Sequence, residues 1–74
     1  MSGKRYEIHS SPEDGPQLVE LLKLLRCKVI KEFVSEELHD TYIIIVEEIV
    51  RGFIEEYFKL SKSYLKVHYL REIQ

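Results

Sequence analysis

Between Lys4 and Ser10 polar and apolar side chains alternate. In an extended chain Tyr6 and Ile8 fall on one side, with Arg5, Glu7 and His9 on the other. The spacing predicts a short strand over residues 4–10. Further on the period changes. Leu18, Leu22, Leu25, Val29 and Phe33 recur at helical spacing, and Leu21, Leu24 and Ile30 widen the stripe. Helix-start chemistry precedes them: a serine at the cap, Pro12 where no N–H is needed, and Glu13 and Asp14 toward the positive end of the dipole. Pro16 still fits the first turn. A first helix is therefore predicted over residues 12–34.

Ser35-Glu36-Glu37 reads as the next cap, with Asp40-Thr41 as a later alternative. A second helix is predicted over residues 36–58. Leu38, Tyr42, Ile45, Ile49 and Phe53 make one stripe; Ile43, Val46, Val50, Ile54 and Tyr57 make another. Such a helix is apolar around most of its circumference and belongs at the centre of an assembly. The run Ile43-Ile44-Ile45-Val46 has strand propensity. Against a strand stand Glu47–Arg51 and Glu55–Lys59, i,i+4 pairs in the favourable order. Beyond Leu60 the pattern weakens, and Tyr64, Leu65, Tyr69 and Leu70 suit a C-terminal helix or tail over residues 60–72. The expected fold class is mainly α: a short N-terminal strand plus two or three helices.

Composition adds an expectation about assembly. Of the 74 residues 45% are hydrophobic, more than two or three helices can hide in so short a chain, so a homodimer is expected. Cys27 is the one cysteine and supports no disulfide framework, which suggests a reducing, cytoplasmic setting. The longest apolar run, Tyr42 to Val46, is far too short to span a membrane. Asn and Ala are absent while Ile, Glu and Lys are plentiful, a bias shared with hyperthermophile proteins.

Net charge is −2, so no overall basic field attracts nucleic acid, but the distribution is uneven. Residues 32–56 carry eight acids against one base, Arg51, whereas residues 59–71 carry four bases and no acid. Lys23, Arg26, Lys28 and Lys31 add a further basic set, read here as a solvated helix face. Catalytic patterns are thin. His9, His39 and His68 have no metal-ligand spacing, Cys27 lies among leucines and valines, and no glycine-rich phosphate loop is present. Neither an enzyme nor a bound metal or cofactor is expected.

Taken together, Lys4-Arg5-Tyr6-Glu7-Ile8-His9, the helix start Ser11-Pro12-Glu13 and the pattern Ile45-Val46-x-x-Ile49-Val50-x-x-Phe53 resemble the ribbon-helix-helix family of DNA-binding proteins. The resemblance spans residues 4 to about 58. It implies an intertwined homodimer in which the N-terminal strands of two chains form an antiparallel ribbon in the major groove of double-stranded DNA. It also implies a transcriptional regulator that reads bases with Arg5, Glu7 and His9. Lys4 and the cap of the second helix, Ser35 or Thr41, would then touch phosphates. The chain departs from the family in its long inter-helix region and in the added segment from Lys59, which would serve a further protein partner. The alternative reading is a protein–protein interaction module built as a helical-bundle dimer.

Overall fold

The N-terminal alternation does form a strand, β1 (Arg5–Ser10), but its partners lie in the same chain. The computed structural model describes residues 3–38, 40–60 and 67–73. After β1 come α1 (Gly15–Leu24), β2 (Lys28–Ser35), β3 (Thr41–Glu47), α2 (Phe53–Leu60) and β4 (Tyr69–Ile73). The four strands make one sheet in the order β2-β3-β1-β4, with every neighbouring pair antiparallel. This is the split β-α-β arrangement of the ferredoxin-like fold.

The expected mainly α, ribbon-helix-helix architecture is thereby overturned, and the helical-bundle alternative with it. β1 sits between β3 and β4, so both of its edges are occupied and a second copy's β1 finds no backbone to pair with. The helix predicted over 12–34 begins only at Gly15, after a turn over 12–14, and stops at Leu24. Its end is a Schellman motif: the N–H of Arg26 donates to the Lys23 carbonyl at 2.9 Å and that of Cys27 to the Leu22 carbonyl at 2.9 Å. Arg26 takes the left-handed conformation this needs, with φ 66°. Past that stop, Val29, Ile30, Phe33 and Val34 favour an extended chain, and 28–35 becomes β2.

The helix predicted over 36–58 divides in the same way. Thr41–Glu47 is β3, whose β-branched run Ile43-Ile44-Ile45-Val46 gains partners on both sides. Two ladders outweigh the few tenths of a kcal/mol that an i,i+4 ion pair contributes. Only Phe53–Leu60 remains helical. Of the C-terminal helix predicted over 60–72, residues 61–66 lie outside the described residues, and Tyr69–Ile73 is a strand.

Both helices cover one face of the sheet. Leu18, Val19 and Leu22 of α1 and Ile54 and Phe58 of α2 meet Tyr6, Ile8, Ile44 and Val46 in a single core, joined by Cys27. Each such aliphatic side chain contributes roughly 1.5–3 kcal/mol by leaving water. α1 lies close over the sheet because Gly15 has no side chain: a Cβ there would stand 2.3 Å from the Tyr42 ring. Ser11 holds the turn into α1, its hydroxyl oxygen accepting from the Asp14 N–H at 3.2 Å. Among the described residues no helix is long and apolar enough to cross a membrane.

Candidate functional site

Among the described residues the other face of the sheet carries no helix, and strand register arranges its side chains in rows. Phe33, Ile43, His9 and Tyr69 are successive partners across β2, β3, β1 and β4. The neighbouring row is Lys31, Ile45, Glu7 and Arg71, and the next is Lys28, Glu47, Arg5 and Ile73. Alternation puts all twelve opposite the core, since Tyr6, Ile8, Ile44 and Val46 point inward. Ile43 is buried at 7% exposure yet outside the core cluster, between its row-mates Phe33 and His9.

The first row is aromatic at both ends. Phe33 is 39% exposed and Tyr69 45%. The His9 ring lies 4.7 Å from that of Tyr69, and Lys31 Nζ stands 5.2 Å from the centre of the Phe33 ring. Each exposed ring thus has a cation in the adjacent row, Lys31 beside Phe33 and Arg71 beside Tyr69. The two stations stand about 14 Å apart, three strand spacings.

The acids of this face are engaged. Glu7 Oε1 accepts from Arg71 Nη2 at 2.9 Å and from Nε at 3.2 Å, while Oε2 meets His9 Nε2. The His9 contact, with Arg71 behind it and against some cost of burial, holds the Glu7 carboxyl below the usual range. Arg5 Nε donates to Glu47 at 3.1 Å. Lys28, Lys31, Arg5 and Arg71 against Glu7 and Glu47 leave the face at +2 in a chain of −2, so the remainder carries −4.

The residues singled out from the sequence separate into two groups. Arg5, Glu7 and His9 share the open face. Lys4 falls on the helix side by the same alternation, its N–H donating to Glu48 and its ammonium 3.4 Å from Glu72, the register partner of Tyr6. Ser35 and Thr41 cap no helix; they are register partners at the base of the β2–β3 turn. There the Ser35 hydroxyl accepts from the Leu38 N–H, and the Thr41 hydroxyl donates to the Leu38 carbonyl. Phe33, Lys28, Lys31, Tyr69 and Arg71 were not foreseen as site residues. The basic run at 59–71 and the bases around Lys28 were visible, but a helical reading spread them over other faces. Cys27 is buried, which pushes its thiol pKa up and leaves it unreactive. His39, one of the three histidines weighed for metal, lies outside the described residues.

Fold and face define a class, a two-layer split β-α-β domain with an open, net basic sheet face. No known protein family, curated protein or solved structure matches the chain.

Proposed function

We propose that the open sheet face binds single-stranded nucleic acid. The supporting observation is the aromatic row Phe33–Ile43–His9–Tyr69 alongside the row that holds Lys31 and Arg71. Exposed rings offer stacking platforms for unpaired bases, and the adjacent cations suit phosphates. Four-stranded sheets of this topology are used for that purpose in RNA recognition, which is an analogy of fold and carries no weight by itself.

The reading keeps nucleic acid as the ligand and changes how it is held. A major groove about 12 Å wide admits a helix or a two-stranded ribbon. A four-stranded sheet, roughly 14 Å between the outer strand axes alone, lies too broad for it. Paired bases also hide the faces that rings stack on. The test is fluorescence anisotropy with labelled oligonucleotides of mixed sequence, single-stranded RNA, single-stranded DNA and duplex, over a range of salt. Single strands should bind more tightly than duplex, and affinity should fall as salt rises. Equal or tighter binding to duplex, or no binding at low salt, rules the proposal out.

A further inference from the structure

The outer strand β2 has a free edge among the described residues, and most of its side chains are exposed, on both faces. Phe33 on the open face is 39% exposed and Val34 on the helix side 50%. Ile30 and Leu38, at the two ends of the same stretch, are 42% and 48% exposed. α1 leaves this part of β2 bare. Edge strands are usually blunted by lysines and bulges. Here the bulge is confined to one half: a register shift breaks the ladder between Val29 and Lys31, with Lys28 before it and Lys31 directly after. The five residues Lys31–Ser35 continue in regular register with β3, and they carry the exposed apolar pair.

We infer that this edge pairs with its own copy, Lys31–Ser35 against Lys31–Ser35 in antiparallel orientation, with Phe33 on the two-fold axis. The register follows from the strand itself. A two-fold axis normal to the sheet pairs residues placed symmetrically about one position, and only Phe33 is central to the regular segment. Lys31 then faces Ser35 of the second copy, and Glu32 faces Val34. A centre at Glu32 or Lys31 would set like charges directly opposite each other, which destabilises a pair. No other symmetric register uses all five residues.

Pairing of this kind puts both open faces on the same side. The row Phe33–Ile43–His9–Tyr69 then runs on into the same row of the second copy, forming one eight-stranded surface with Phe33 at its seam. The inference goes beyond the nucleic-acid reading and does not depend on it, because the assembly is measured without ligand. The interface is small, below the ~1,200 Å² of standard complexes, and weak association is expected, with a Kd on the order of 10–100 µM.

The experiment combines sedimentation equilibrium with symmetric cross-linking. The average mass of the full chain should rise from 8.9 kDa toward twice that value with concentration. Phe33→Lys, at a half-exposed position that tolerates a charge, should weaken association at least tenfold. Under mild oxidation Phe33→Cys should give a disulfide dimer, since directly opposed Cα atoms lie about 4.5–5.5 Å apart. Val34→Cys, placed opposite Glu32, should cross-link at least tenfold less. The wild-type chain is the blank, because Cys27 is buried. A single-chain mass up to about 1 mM, a dimer indifferent to Phe33→Lys, or cross-linking at Val34→Cys equal to that at Phe33→Cys would each overturn the inference.

Discussion

The carboxylate of Glu48 accepts a hydrogen bond from the backbone N–H of Lys4 at 2.9 Å, across 44 positions of sequence. The same carboxylate takes the N–H groups of Gly52 and Ile54, each at 2.8 Å. One side chain, 2% exposed, therefore joins the start of β1 to the first turn of α2. Glu48→Gln keeps the shape but loses the charge and turns an acceptor into a donor. We expect it to cost about 2–3 kcal/mol in urea unfolding.

Acid unfolding should report the same group. Burial pushes the Glu48 pKa up, but the three backbone N–H groups and the nearby Lys4 charge outweigh it and hold the carboxyl below 4.5. The folded value lies under the unfolded one, so the stability it contributes is full above about 4.5 and lost as pH falls through the folded value. Glu7 adds to the acid limb with the same sign. In Glu48→Gln the loss of stability between pH 5 and 2 should be visibly shallower; an unchanged slope would contradict the assignment.

Tyr6 presents the opposite case. Its ring fills the core, but its buried hydroxyl makes no hydrogen bond of good geometry among the described residues, although Glu55 is close enough to oppose ionisation. Burial, with Glu48, Glu55 and Glu72 nearby, pushes its pKa up to about 12. Stability from this group is full below the unfolded value of 10.0 and lost as pH rises through the folded one. Tyr6→Phe removes the orphan hydroxyl. It should be neutral or stabilising by up to about 1 kcal/mol, and it should delete a tyrosine transition near pH 12 from an ultraviolet titration.

Two glycines should fail for different reasons. Gly52 has φ 91° and open space around its missing side chain, so Gly52→Ala should cost about 1–2 kcal/mol through backbone strain alone. At Gly15 the obstacle is the Tyr42 ring, and Gly15→Ala should cost more than at an ordinary helix start. Tyr42→Ala should relieve the second cost and leave the first unchanged, as a double-mutant cycle in thermal unfolding would register.

On the open face, Tyr69→Ala should weaken single-strand binding by about 1–3 kcal/mol at all salt concentrations. Lys31→Ala should instead reduce the salt slope, by about 0.7 for each single-strand phosphate that the lysine neutralises. Identical salt slopes for Lys31→Ala and wild type would remove Lys31 from the interface.

Some of this molecule was legible in its residues. The alternation Arg5-Tyr6-Glu7-Ile8-His9 specifies a strand with two faces whatever it pairs with, because the side-chain period of an extended chain is two. Leu18 and Leu22 on one stripe specify α1 with similar directness, but the expected start at Pro12 does not hold: residues 12–14 form a turn and the helix begins at Gly15, with no acid in its first turn. Partner choice was not written locally. A run such as Ile43-Ile44-Ile45-Val46 is apolar in every period, so it fits a buried helix and a central strand equally well; only ladders to β1 and β2 decide between them. The stop at Leu24 depends on Arg26 accepting a left-handed backbone, which no residue preference announces. Phe33, His9 and Tyr69 lie in one row because three strand registers align them, and register is a property of the assembled sheet. The sequence by itself determined the two-faced character of β1 and of the first turns of α1. Tertiary structure decided what those faces meet, since that is set by packing between residues far apart in the chain.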